Sequence, residues 1–577
     1  MAWSRTSLER GSRARRLWRD RWHGPHGSWS QAWFDLLQAD PLLSRSALVL
    51  DLRLGGDVRV MVATRDGLTA ASLPAGVTAG PRIAYRALLN EEPRIGVAYT
   101  PGTGPAAARS LPVSVGIPLE DIWAWVMARS RMVAGWGEAY LIADGVAYEN
   151  RLVILRGDID GGASFGASGE NLDVELVDPQ LSADLAITEY IADTDRLSDV
   201  PDTSVGQRYP LAINAPVGVP LMRTTATTPP TWMVSVGHEH TVTVVRVDGV
   251  SYGSGSPEYP WAVNYLSDAK GAPYTAVVFS SGTGAWDDTT AVHADLAIRT
   301  DVDTVPLRNV IDTIRYLLEQ WSALGPTGVS DEVFARAGGK VPDKIGPRVY
   351  INGSGSGSSA RAMQYVEQTI CACYPMISMV WQIGGYGPVV TDRRAPSVAK
   401  WIVGQGPVLS RVGDWQETPK SALFNWITVR YDYDPVEDVY RGVVHRDPTN
   451  SLICQISEEQ AGPRDRDPIE TPLIGTAGEA TWVADWLVEH QAIPSYDKTY
   501  EGEPGILVKY RLGDNVDLVD EKIHGVTLAA PVKATIIGIE RVSRSKVEVR
   551  LRIWALYPNL GGGARASEGA PPIEAGQ

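Results

Sequence analysis

Short runs of alternating apolar and polar residues, bounded by glycine or proline, dominate this chain, and long helical patterns are few. Leu48–Leu54 and Val58–Ala63 read as a hairpin across Gly55–Gly56. Residues 119–130, with Trp123 and Trp125, read as one helix lying on that sheet. The segment 151–178 reads as strand, glycine-rich turn, strand, and its second arm alternates at Leu172, Val174 and Leu176. One face of that arm is therefore buried. A second β-rich block follows: MVSVGHEHTVTVVRVDGVSYG, Ala272–Ser281 and AVHADLAIRT, with Asp248–Gly249 as a hairpin turn.

From residue 305 the period changes. Leu307, Val310, Ile311, Ile314, Leu317, Leu318 and Trp321 recur at helical spacing, with Pro306 at the helix entrance. A second helix carries Met363, Val366, Ile370 and Cys373 as one stripe, and a third spans 479–490. Strands are expected in FNWITVRYDYDP (424–435) and in 534–554. There Val547, Val549, Leu551 and Ile553 alternate with Glu548, Arg550 and Arg552. Residues 152–176 and 534–553 echo one another as strand, short polar turn, alternating strand. Two copies of one β plan and a coincidence among hairpins both stay open.

With 577 residues the chain is too long for one core, so three to five domains are expected. Its 44% hydrophobic and 21% charged content is that of a folded protein. No apolar run is long enough to span a bilayer, and the N-terminus lacks the apolar stretch of a signal peptide. A net charge of −15 argues against a protein whose main task is gripping nucleic acid, and suits a wall that must not stick to DNA. The first 22 residues oppose this trend, with seven arginines against two acids. A basic amphipathic helix, a segment docked on an acidic neighbour and a solvated tail remain open for them. The glycine-rich tail 559–577 is expected to be disordered.

Four patterns raise the question of chemistry. In VYINGSGSGSSARAMQYV (349–366), Gly355, Gly357 and Ala360 satisfy G-x-G-x-x-A, one form of the dinucleotide fingerprint. That fingerprint needs a second strand ending in an acid, but the strand after this helix ends at Trp381–Gln382, and no acid precedes Asp392. No lysine follows the glycines, so a P-loop fails too. The stretch reads as a solvated connector in which Ser359 can cap the helix. Gly162–Ala163–Ser164–Phe165–Gly166 matches G-x-S-x-G, but a strand pattern follows where a nucleophile elbow needs a helix, so a hairpin turn is expected. His238 and His240, at i and i+2, fall on one strand face, and His293 with Asp295 could mirror them; nothing in the sequence brings the pairs together. Cys371, Cys373 and Cys454 lack redox or zinc spacing and read as reduced, structural thiols. No catalytic, cofactor-binding or metal-binding residue is assigned. The 19 tryptophans fit cores and interfaces, or sugar surfaces.

The order of segments says more than any motif. LDVELVDPQLSADLAITEYI followed by TSVGQRYPLAINAPVGVPLM, with Gly206, Pro210–Leu211 and Val219–Pro220, resembles a segment of the tail-tip proteins of long-tailed bacteriophages. WMVSVGHEHTVTVVRVDGVSYG is similar to their β insertion, and NVIDTIRYLLEQW with SDEVFARAG to the helix pair opening their next domain. The "I-N, helix, strand-G-G-x-G" passage, NWITVRY (Asn425–Tyr431), the 479–490 helix, Gly513, Asp514 and Val516, and the closing hairpin follow in family order. The resemblance covers roughly 150–555; the first 150 residues match less clearly, and the Arg-rich start lies outside the pattern.

The resemblance implies a baseplate hub or tail tip of a siphovirus-like bacteriophage or related tail-like particle. The implied fold class is α+β, β-rich and multidomain, with two tube-type β-barrel domains, a β insertion and a helix-containing domain. The segments are then 1–46 basic, 47–180 tube-like, 181–304 insertion, 305–420 helix-containing, 421–558 a second tube-like domain with one helix, and 559–577 tail. A virion homotrimer without enzymatic activity, made in the host cytoplasm, would join the tail tube or tape measure and the distal tail ring to tail fibres and receptor-binding proteins. It would gate genome ejection, with DNA only in transit and no stable membrane insertion. A carbohydrate-binding receptor module is the alternative, and a cell-wall hydrolase a third.

Overall fold

The computed structural model describes residues 46–554 apart from 55–57, 64–94, 99–109, 117–135, 144–145, 149–150, 166–170, 178–185, 189, 282–283, 285, 288, 299–306, 308, 323, 325–328, 330, 344–345, 353–360, 383–384, 524–525 and 544–545. Among the described residues strands outnumber helices, and the chain is a β-rich, multidomain α+β protein. The expected helix at 119–130 and the terminal segments lie outside the described residues.

The alternating runs of the first half form a six-stranded antiparallel sheet. Its order is Val58–Ala63, Ser46–Leu54, Trp136–Ala143, Leu152–Phe165, Asn171–Val177, Ser110–Gly116. The hairpin expected from Leu48–Leu54 and Val58–Ala63 is present, with Val49 opposite Ala63 and Leu54 opposite Val58.

A seven-stranded sheet gathers the end of the chain. Its order is Ala399–Ile402, Asn515–Val519, Val532–Ser543, Lys546–Trp554, Ser495–Gly502, Val408–Glu417. The strict alternation in 546–554 does what it predicts: Val547, Val549, Leu551 and Ile553 are buried and Glu548, Arg550 and Arg552 are half-buried. The seventh strand comes from far away. Ile95–Ala98 pairs antiparallel with the second half of Val532–Ser543, while Asn515–Val519 pairs with its first half. Both echoing segments are long antiparallel hairpins with register shifts, one in each of the two largest sheets.

These two sheets share one hydrophobic core. Leu48, Leu50, Leu52, Leu141, Leu155 and Leu176 from the first pack in the same cluster as Trp401, Val516, Ile536, Val549 and Leu551 from the second.

Residues 219–298 form two four-stranded sheets with a core between them. The Asp248–Gly249 turn is as expected, joining Val247 to Val250, with both residues at positive φ (50° and 83°). The Thr231–Val236 strand is buried on both faces. Trp232 and Val234 enter the insertion core, whereas Met233 and Val236 join a second core built around helices.

That helical core holds the Val310–Trp321 helix, which buries Val310, Ile311, Ile314, Leu317, Leu318 and Trp321 as the period marks, and Thr313 besides. Asn309 caps this helix, its Oδ1 accepting from the amides of Ile311 and Asp312 at 3.0 Å; Pro306, expected at the entrance, lies outside the described residues. The Met363, Val366, Ile370, Cys373 stripe is buried as expected, on a helix whose middle turn, Val366–Ile370, is π-helical. Arg361 is the N-cap there and makes no side-chain cap bond. Ile427, Val429, Cys454 and Ile469 also pack in this core, with the Ala477–Gln491 helix. Where the pattern gave one helix for 421–558, Leu452–Ala461 and Gly505–Lys509 are helical too. Leu452–Ala461 escapes the pattern because only Cys454 and Ser457 on it are buried.

Candidate functional site

The motifs that raised chemistry are taken up by architecture. The strand before the glycine loop, Val349–Ile351, pairs antiparallel with Leu211–Ile213, and the strand after the helix, Ile377–Gln382, pairs antiparallel with Gly385–Val390. A dinucleotide site needs those two strands parallel and adjacent, and among the described residues no ladder joins them. The glycines of 353–360 lie outside the described residues.

The G-x-S-x-G run is corrected from turn to strand. Ser164 lies within Leu152–Phe165 opposite Asp173, and a register shift between Asp160 and Ser164 absorbs the glycines as a bulge. The next described element is the strand Asn171–Val177, where a nucleophile elbow needs a helix.

His238 precedes the strand that holds His240, and its Nε2 meets Leu266 O at 2.9 Å. His240 is buried, and its Nε2 meets Asn214 O at 3.0 Å. Burial holds His240 below the ordinary imidazole pKa. His293 stands opposite Arg246 in the ladder, and Asp295 forms an ion pair with that arginine at 2.5 Å. The two pairs are not brought together. Among the described residues, no cluster of three or more His, Cys, Asp or Glu side chains could hold a metal. All three cysteines are free and buried. Burial pushes the Cys373 thiol up to about 11, although its hydrogen bond to Thr471 Oγ1 (3.1 Å) opposes the shift.

The built features lie where the cores meet. The Ala477–Gln491 helix starts at Thr476, whose hydroxyl accepts from Glu479 N. Thr476-x-x-Glu479 is a capping-box spacing that the sequence displays. Here the Glu479 carboxylate reaches one residue further back: Gly475 N donates to Oε2 at 3.0 Å and the Tyr374 hydroxyl donates to Oε1. Burial is the larger effect and pushes Glu479 up to about 7 despite these donors.

A carboxyl raised this far favours the fold while protonated, and that contribution fades as pH rises from about 4.5 through 7. Glu479→Gln should therefore gain on the wild type as pH rises from 5 to 8, by roughly 3 kcal/mol at the upper end. Thermal unfolding of both proteins across that range checks it. A difference that does not change with pH contradicts it.

At its other end the helix is bolted to the seven-stranded sheet. His490 stacks on Trp486 (4.1 Å, 13°) and meets the edge of Trp554, the last residue of the final strand (4.8 Å, 80°). The neutral ring is saturated: Nδ1 donates to Trp486 O at 2.8 Å and Nε2 accepts from Arg393 N at 3.4 Å. Burial first, then the nearby Arg393, Arg394 and Arg552, keeps its pKa well below the usual value. Trp486 Nε1 donates to Thr391 O at 2.5 Å. Trp554 Nε1 donates to Thr535 Oγ1, which donates to Asn515 Oδ1, and the Asn515 amide donates to Asp392 O and Ala395 O. This continuous polar network ties the helical core to three strands of the sheet core.

A concave cleft of about 480 Å³ opens elsewhere, between the start of the Ile427–Asp434 strand, the end of Val439–Arg446 and residues 465–468. Trp426, Thr428, His445, Asp465, Arg466 and Asp467 line it. The sequence reading did not single out these residues. Asn425 joins the two sides: its Nδ2 donates to Gly462 O and its Oδ1 accepts from Arg464 N.

No protein-family model matches the chain, and no curated protein matches it. Among solved structures it is similar to the 43 kDa tail protein of prophage MuSo2 from Shewanella oneidensis, at 9% identity and a TM-score of 0.33. That match covers 88% of this chain and 98% of that one. It is similar to prophage tail protein gp18 from Listeria monocytogenes EGD-e, at 8% identity and a TM-score of 0.30, over 79% and 87% of the two chains. A chain of a native gene transfer agent virion aligns at 12% identity and a TM-score of 0.19, over 47% and 85%. With TM-scores below 0.5, none of the three carries an argument about fold or function.

Proposed function

We propose that this chain is a structural virion protein, the hub of a phage-like tail tip. It would join the tail tube and distal tail ring to tail fibres and gate genome release. The observation that carries this reading is the union of the two largest sheets. They share one core, and Ile95–Ala98 from the first half of the chain completes the sheet made by the second. A single chain so built presents two β platforms fixed to one another. Three copies around an axis present six, which lets a trimer meet a six-fold tube.

The order of segments along 150–555 supports the same reading. Val219–Pro220, the 219–298 sheets, the helices Val310–Trp321 and Asp331–Gly338, the Ala477–Gln491 helix and the closing hairpin follow in the order expected of tail-tip proteins. A net charge of −15 suits a wall that DNA passes without binding. The role is mechanical and needs no turnover, and the His490–Trp554 network would carry force between the helical and sheet cores. Immunogold labelling of purified particles with an antibody to this chain tests the placement. Gold at the distal end of the tail is expected; gold along the tube, on the capsid, or on no particle contradicts it.

A further inference from the structure

We propose that the cleft at Trp426 is a saccharide-binding site. The inference rests on the chemistry of that cleft and stands whether or not the chain is a tail hub.

Trp426 is 38% exposed at the cleft, an unusual position for the largest apolar side chain, and its backbone is locked by bonds to Arg464 O and from Arg466 N. An exposed indole on a backbone held in this way offers a flat face on which the C–H face of a sugar ring can stack. The polar groups around it are of both kinds. Asp465 and Asp467 are exposed, and among the described residues their carboxylates make no side-chain hydrogen bond or ion pair, so they remain as acceptors. Arg466 spends its Nε on Gln491 Oε1 at 3.0 Å, which leaves its terminal nitrogens as donors. His445 engages Thr428 Oγ1 through Nδ1 at 3.0 Å and keeps Nε2 for a ligand. Arg446 and Asp447 at the back are already committed, to Asp485 and to Thr449.

Mixed donors and acceptors decide the ligand class. A hydroxyl both donates and accepts, so a polyhydroxylated ring can satisfy carboxylates and guanidinium together. A phosphate or nucleic acid would face the exposed carboxylates of Asp465 and Asp467, with Arg466 the one guanidinium lining the cleft, among the described residues, that is not already ion-paired. A cationic peptide would face Arg466. The volume of about 480 Å³ is within the range of small-ligand sites.

The test is a microbial glycan array probed with the full chain, with polylysine spotted as the competing class. Retention on at least one glycan is expected, weakened tenfold or more in both W426A and D465N/D467N. It should be unchanged in W415A, which removes an equally exposed tryptophan elsewhere (40%). W426L, which keeps apolar bulk but loses the stacking face, should behave as W426A and covers the case in which the alanine variant does not fold. The proposal is overturned if the wild type retains no glycan, if W426A and W426L bind as the wild type does, or if W415A loses as much. Retention of polylysine in place of glycans, lost in D465N/D467N, overturns it in favour of a cationic partner.

Discussion

Replacing Trp486 with alanine is expected to cost about 3–5 kcal/mol, the range for emptying a large aromatic from a core. The indole is 1% exposed and belongs to the helical core, and its loss removes more than volume. Thr391 O loses its donor, and His490 loses the ring on which it stacks. His490 would then be held only by Trp554 and by its bonds to residue 486 O and Arg393 N. Trp486→Phe separates these effects: it keeps an aromatic face but removes the indole N–H that donates to Thr391 O, and should cost about 1–3 kcal/mol. Urea midpoints of the intact chain check both. A Trp486→Ala cost below about 1 kcal/mol would mean that the joint between helix and sheet is not where it has been placed.

The second large effect is at Asp520. Its carboxylate is fully buried and accepts from Arg411 Nε at 2.9 Å, from an Arg411 terminal nitrogen, from the Tyr500 hydroxyl at 2.9 Å and from Lys522 N at 2.9 Å. These contacts fix the edge strand Val408–Glu417 to the end of Asn515–Val519. Asp520→Ala strands a guanidinium and a buried phenol, and breaking a buried pair in this way costs about 3–5 kcal/mol. Arg411 is 26% exposed and regains some water, so the lower end of that range is expected. Burial alone would raise the Asp520 pKa, but the hydrogen bonds from Arg411, Lys522 N and Tyr500 outweigh it and hold it below the ordinary carboxylate range. Its stabilisation is complete above pH ~4 and is lost as pH falls through the lowered value. The gap between wild type and Asp520→Asn should therefore close in strong acid. A gap of constant size from pH 7 down to pH 2 contradicts the assignment.

Much of the secondary structure was legible because burial follows period. The 546–554 strand alternates in sequence and in burial, and Val310–Trp321 buries the stripe its spacing marks. Local rules failed where tertiary contacts took over. A strand buried on both faces, such as Thr231–Val236, gives no sign that its two faces serve different cores. Ile95–Ala98 is four residues long, and its pairing with Val532–Ser543 is set by a sheet edge that the sequence around residue 95 does not contain. The glycines of 161–162 read as a turn because glycine marks turns and bulges alike, and only the partner strand distinguishes them.

The side chains that build the sites are brought together by tertiary contacts that local patterns do not carry. The helix at 479–490 was legible from its pattern, but the elevated pKa of Glu479 comes from tertiary burial, against the hydrogen bond that Tyr374 donates from 105 residues away. Likewise Trp426 becomes notable only when residues 465–467 fold beside it. An exposed tryptophan and a buried one are the same letter.

The proposed three-fold hub assembly is tested most directly by mass in solution. Purified full-length protein would be measured by light scattering or native mass spectrometry, alone and with the distal tail protein of the same particle. The account predicts a species of three times the 62.4 kDa chain mass, alone or once that ring protein is added, and a stable complex with it. A protein that stays at 62.4 kDa under both conditions and does not bind the ring would contradict it.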